Sequence, residues 1–137
     1  MIAAWNSVVA GLPVLLLQLG VTTGLFVLGL GIYVWVTPYR EIELIRAGNP
    51  AAAVTLAGEM LALGIPLAAM MAHSVNIPDI LLWGIVAIVL QLIAFGAVAI
   101  LIPGLAAAIR RGEVASALVL ASGQVVAGIL NAAAMSG

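Results

Sequence analysis

The first charged side chain in this sequence is Arg40, and the 39 residues ahead of it are almost wholly apolar. A run of that kind is at home only in a bilayer, because a transmembrane helix needs about 20 apolar residues in succession. Three further apolar runs follow, so membrane spans are expected over residues 13–36, 51–72, 78–102 and 114–135. Hydrophobic residues make up 66% of the 137 and charged residues 7%, whereas soluble domains carry about 25% charged residues. Too little charge is present to coat a water-soluble globule. The expected fold is an all-α membrane protein, with residues 1–137 forming one four-helix transmembrane domain.

Polar residues punctuate the spans. Residues 40–46 mix Arg40, Glu41, Glu43 and Arg46 with Ile42, Leu44 and Ile45, a pattern expected of a surface turn of helix. Ahead of the third span, Asn76, Pro78 and Asp79 form a helix-start signature, with Asn76 as the N-cap. Arg110, Arg111, Gly112 and Glu113 make a tight polar connection into the fourth span. All four cations, Arg40, Arg46, Arg110 and Arg111, fall in the first and third loops. The positive-inside rule therefore puts those loops in the cytoplasm and both termini outside it. The positive n-region of a secretory signal is missing, so the first segment is expected to stay as a membrane helix.

An internal repeat shows at a shift of 64 residues, where Ile45-Arg46-Ala47-Gly48 matches Ile109-Arg110-Arg111-Gly112 and Gly64-Ile65 matches Gly128-Ile129. Two tandem hairpins, about residues 13–72 and 78–136, are expected. An even number of spans separates them, so they form a parallel repeat about an axis near the membrane normal.

Each span carries a polar side chain near its midpoint: Thr22 and Thr23, Glu59, Gln91, and Gln124. Glu59 stands eight residues into its span, about 12 Å deep at 1.5 Å per residue. An ionised acid at that depth costs about 2.5–3.5 kcal/mol on insertion scales, so the side chain should face other helices or a wet cavity. Two readings follow. In one, Glu59, Gln91, Gln124 and Thr22 or Thr23 line a proton or cation site. In the other, a neutral Glu59 is hydrogen-bonded to a Gln as interhelical glue, a contact worth about 0.6 kcal/mol. Thr55, Glu59, Ala62, Pro66, Ala69 and His73 share one helix face, and Ala117, Ala121, Gln124, Gly128, Asn131 and Met135 share another. Pro66 lacks an N–H and frees the Ala62 carbonyl one turn from Glu59. Gly20 and Gly24, at GxxxG spacing, offer a packing face within or between subunits.

Several chemistries are excluded. The sequence has no Cys, no Lys and one His, which removes disulfides, thiolate metal sites, Schiff-base chemistry and His cages. It shows no phosphate-binding loop, dinucleotide fingerprint or hydrolase elbow. No catalytic residue, cofactor or metal is expected, and with a net charge of −1 no nucleic-acid partner either.

Thr37-Pro38, Ile77-Pro78-Asp79, Trp83-Gly84, Gln91, and Gly128 followed by Asn131-Ala132-Ala133-Ala134-Met135 resemble the YjfL-type small bacterial inner-membrane proteins, the domain of unknown function 350 family. The resemblance covers nearly the whole chain. It implies a four-helix protein of the bacterial inner membrane without assigned catalytic residues, whose relatives sometimes occur beside polyamine-synthesis enzymes. It also implies a small or neutral residue where this sequence has Glu59. The function classes are thus ordered. A proton- or cation-linked channel or transporter comes first, as a homo-oligomer because four helices enclose little water. A scaffold or partner subunit that meets another protein through its cytoplasmic loops comes second, and a membrane enzyme a distant third. Where Glu59 points, into a wet cavity or a dry helix contact, separates the first two.

Overall fold

The computed structural model describes residues 1–74 and 76–137. Val75, in the loop after the second span, lies outside the described residues. Among the described residues six helices follow one another: α1 (Ile2–Val36), α2 (Glu41–Arg46), α3 (Pro50–His73), α4 (Ile77–Leu101), α5 (Leu105–Arg110) and α6 (Val114–Ser136). Helices α1, α3, α4 and α6 are long and apolar enough to cross a membrane. The chain is an all-α integral membrane protein, as its apolar runs require, since helices satisfy their backbone groups internally where no water is present.

Helix starts follow their caps. Asn49 accepts from the Ala52 N–H at 3.0 Å ahead of Pro50, and Asn76 accepts from the Asp79 N–H at 2.9 Å ahead of Pro78. The two loops bearing the arginines end in the same way. Gly48 and Gly112 take positive φ, and their N–H groups bond the carbonyls of Ile45 and Ile109 at 2.9 Å in each case. The starts of α2 and α5, and those of α3 and α6, are each 64 residues apart, the spacing of the sequence repeat.

Two features differ from expectation. The first membrane helix starts at Ile2 instead of residue 13, with Pro13 inside it. Proline removes one backbone donor, but in apolar surroundings helix remains the cheapest state for the residues on either side. The third span ends at Leu101, and after a break containing Pro103 and a positive-φ Gly104 the chain forms α5, an element the sequence reading did not separate.

The closest packing joins α3 to α6. A Cβ on Gly58 would lie 2.6 Å from the Ala121 Cβ, and one on Gly128 would lie 2.5 Å from the Ala62 carbonyl oxygen. The carbonyl that Pro66 leaves free is therefore covered by the bare Cα of Gly128, a backbone contact that only glycine permits. Helix α1 packs through Leu25 on Gly84 of α4 and through Gly29 on Ile88 and Leu63. Its residues 2–17 are all exposed. Two apolar clusters result. One, at the arginine end, contains Tyr33, Ile109 and Leu120, with Tyr33 edge-on to Phe95 at 5.1 Å. The other, toward His73, contains Leu63, Leu67 and Ile88. Between them lies a layer of buried polar groups.

Candidate functional site

The polar layer is built on the α3/α6 seam. Thr55, Glu59, Ala62 and Pro66 are buried along one face of α3, and Ala117, Ala121, Gln124, Gly128 and Asn131 along the facing side of α6. Glu59 and Gln124 expose no surface. Gln124 Nε2 donates to Glu59 Oε2 at 2.7 Å, and Gln91 Nε2, from α4, donates to the main-chain carbonyl of Gln124 at 2.9 Å. Three of the expected site residues thus form one chain across three helices. Each keeps an unused buried oxygen: Glu59 Oε1, Gln91 Oε1 and Gln124 Oε1 have no partner. Carbonyl and carboxylate oxygens left in this way are demanding in a low-dielectric interior. They can receive a proton-bearing group or a small cation, and no fixed cation among the described residues neutralises the acid.

Thr22 and Thr23 are placed elsewhere. They line a shallow groove of about 180 Å³ with Gly64, Leu67, Ala68 and Met71, toward the His73 end and past the level of Glu59. Thr22 is buried with its hydroxyl unpartnered, and Thr23 is exposed. Depth along a span does not set which way a side chain faces, and α1 meets the bundle on a different side. A Cβ on Gly20 or Gly24 would meet nothing within 4 Å, so among the described residues no other helix packs closely on their face. Asn131 Nδ2 reaches the Ala87 carbonyl at 3.4 Å and lies on a cavity of about 350 Å³ that also touches His73, Asp79 and Trp83. His73 is exposed and directs Nδ1 to the Ala69 carbonyl at 2.8 Å.

At the arginine end, three of the four cations are engaged at the surface. Arg40 pairs with Glu43 at 3.0 Å, Arg111 with Glu113 at 3.1 Å, and Arg110 donates to the Pro38 carbonyl at 2.6 Å. Arg46 is exposed. The Ser116 hydroxyl and Arg111 hold the Glu113 carboxyl below the usual range.

The residue that sequence reasoning missed is Glu41. Grouped with a surface turn, it is instead fully buried, its Oε1 2.7 Å from Thr55 Oγ1 and 3.2 Å from the Tyr33 hydroxyl. Burial pushes its carboxyl up to about 7, against the pull of those two hydroxyls. The signal was its spacing: Glu41 stands three and four residues ahead of Leu44 and Ile45, on their face of α2. Tyr39, also buried beside this cluster, has its hydroxyl pushed up by the same desolvation.

The comparisons with known proteins agree with the architecture. The sequence model of the family described as Domain of Unknown Function (DUF350) matches residues 7–135. The chain belongs to that family. It is 35% identical over 105 residues, 77% of this chain and 80% of the relative, to the UPF0719 inner membrane protein YjfL of Escherichia coli (strain K12), with the same values for its counterpart in Escherichia coli O157:H7. No solved structure matches. Within this DUF350 protein Glu41 and Glu59 are the fully buried carboxyls among the described residues.

Proposed function

We propose that this protein is a non-enzymatic, proton- or cation-linked channel or transporter of the bacterial inner membrane, working as a homo-oligomer, in which Glu59 takes and releases the ion. The carrying observation is the state of Glu59: fully buried, bonded to Gln124 through one oxygen, with the other oxygen unpartnered and three of the four arginines engaged in the loops. A carboxyl so placed has no fixed counter-ion and is free to exchange a proton for another cation. The location is carried over from the YjfL relatives, which are inner membrane proteins. Its orientation, with arginine loops in the cytoplasm and both termini outside, rests on the positive-inside rule. Oligomerisation is supported by α1. Its 35 residues reach about 52 Å at 1.5 Å per residue, well beyond a hydrocarbon core of about 30 Å, and its unpacked first half needs apolar cover.

The enclosure of Glu59 also favours a second reading. The Glu59–Gln124–Gln91 chain ties α3, α6 and α4 together without a large opening beside it, which is the arrangement that interhelical glue requires. The protein would then be a scaffold whose working surface is the Arg and Glu loops. Flux measurements on purified protein in liposomes separate the two. Under imposed pH and cation gradients, wild type is expected to conduct and Glu59→Gln, which keeps shape and hydrogen bonding, to lose the pH-dependent part. Equal flux with the same pH dependence removes Glu59 from the mechanism, and no flux from either protein favours the scaffold.

A further inference from the structure

Glu41 is a second buried acid, and nothing in the Glu59 site uses it. It sits at the arginine end, covered by Tyr33 from α1, Tyr39 from the connecting segment and Thr55 from α3, with the Ile109–Leu120 cluster around them. The charged groups near it are turned away: Arg40 toward Glu43, Arg110 toward the Pro38 carbonyl, and Arg46 and Glu43 outward. Arg111 and Glu113 pair with each other at the surface, and the other buried carboxyl among the described residues is Glu59, one helical turn beyond Thr55 on the same face of α3, a rise of about 6 Å.

The hydrogen bonding around Glu41 suits both protonation states. Thr55 Oγ1 lies 2.7 Å from Glu41 Oε1 and 3.0 Å from the Ala52 carbonyl. When Glu41 is ionised, Thr55 gives its single hydrogen to the carboxylate. When Glu41 carries a proton, the acid donates to Thr55 Oγ1, which turns its hydrogen to Ala52. One rotation of a hydroxyl accommodates the change, with no backbone movement. A cleft of about 390 Å³ lined by Thr37, Arg40, Glu41 and Glu43 opens beside this cluster, while the Glu41 side chain itself exposes no surface.

We propose that Glu41, framed by Tyr33 and Thr55, is a second proton-binding site, through which Glu59 exchanges protons with the arginine-bearing side of the membrane. The exchange with Glu59 rests on the proposed function, whereas proton binding at Glu41 does not. A proton entering from the cleft converts the Glu41 carboxylate to the acid. Transfer to the Glu59 carboxylate makes Glu59 the acid and returns Glu41 to the anion, so a single negative charge is shared between two carboxyls that repel one another when both are ionised. Burial, which pushes Glu41 up to about 7, puts its exchange in the neutral range.

The test is infrared titration of the full-length protein in lipid nanodiscs from about pH 5 to about pH 9, following the protonated-carboxyl band. Wild type is expected to lose band intensity near neutral pH. Glu41→Gln is expected to abolish that component and Glu59→Gln to leave it. Tyr33→Phe, which removes one hydroxyl from the carboxylate but keeps the ring, is expected to shift it to higher pH. A neutral component unchanged in Glu41→Gln and unshifted in Tyr33→Phe overturns the proposal. In liposomes, Glu41→Gln is expected to slow proton flux more at alkaline than at acid pH. If the Glu41 band titrates as expected but flux is unchanged by Glu59→Gln, the Glu59 reading and the transfer step fall while the Glu41 site stands.

Discussion

Replacing Gly128 with alanine adds one methyl group where α6 comes nearest to α3. The new Cβ would lie 2.5 Å from the Ala62 carbonyl oxygen and 2.9 Å from Ala62 Cα. Both are backbone atoms, so no side-chain rotation relieves the clash. A carbon and a carbonyl oxygen rest no closer than about 3.3 Å, so the helices must part by roughly 0.8 Å. Gln124 is one turn away on α6, and its 2.7 Å bond to Glu59 would stretch to the edge of hydrogen-bonding range. Overpacking costs about 1–3 kcal/mol and the weakened bond about 0.6 kcal/mol, against a helix-propensity gain of at most about 1 kcal/mol. The net loss is about 1–3 kcal/mol, a fall in Tm of roughly 3–15 °C at roughly 3–5 °C per kcal/mol. Gly64, its counterpart in the sequence repeat, has nothing within 4 Å, so Gly64→Ala makes the same chemical change without the clash. Thermal unfolding of the two variants in one detergent, followed by near-UV circular dichroism, should place Gly128→Ala below wild type and Gly64→Ala at or above it. Equal melting of the two variants would refute the close α3/α6 approach.

Stability should also depend on pH through Glu41. Its folded value of about 7 lies above the ordinary 4.5, so its contribution is fully present at acid pH and is lost as pH rises through about 7. The shift corresponds to an alkaline penalty on the order of 3 kcal/mol, and Glu41→Gln should flatten melting temperature against pH across that window; a wild-type profile already flat would refute it. For topology, periplasm-active reporters fused at Gly137 should be active and cytoplasm-active ones silent, and the opposite pattern would invert the assignment.

The spans were legible because a bilayer leaves few alternatives: α3, α4 and α6 begin and end within a residue or so of the apolar runs. The start of α1 was not. Pro13, read as an edge, is tolerated inside a helix whose neighbours have no better way to satisfy their backbones. Glu59, Gln91 and Gln124 are each polar and central in their spans, and Glu59 and Gln124 also lie on the small-residue faces of their helices. Thr22 and Thr23 matched them in depth alone, and the azimuth at which α1 meets the bundle is a tertiary property absent from a count along the chain. Glu41 was hidden by its company. Among Arg40, Glu43 and Arg46 it reads as one more surface charge, and only its alignment with Leu44 and Ile45 distinguishes it. Helix α5 was hidden in the opposite way, its Leu-Ala-Ala-Ala-Ile run merging with the apolar span before it.

The two acids are poor choices if stability alone is considered. Membrane insertion of an ionised acid at a helix centre costs about 2.5–3.5 kcal/mol, and an interhelical hydrogen bond returns about 0.6 kcal/mol. Glu59 makes one such bond. A glutamine there would accept the same bond from Gln124 and carry no ionisation cost, and a leucine would fill the seam with neither cost nor bond. What glutamic acid alone supplies is a proton that can leave. The surroundings fit that property, because Gln124 Nε2 is a donor to the ionised form, and the same amide turned end for end presents its oxygen as an acceptor to a neutral Glu59. Glu41 repeats the arrangement with hydroxyls in place of amides, Thr55 acting as donor or acceptor according to where its hydrogen points. Each acid thus has partners for both of its states and a fixed cation for neither, which is the condition under which a proton can pass from one to the other without either becoming trapped.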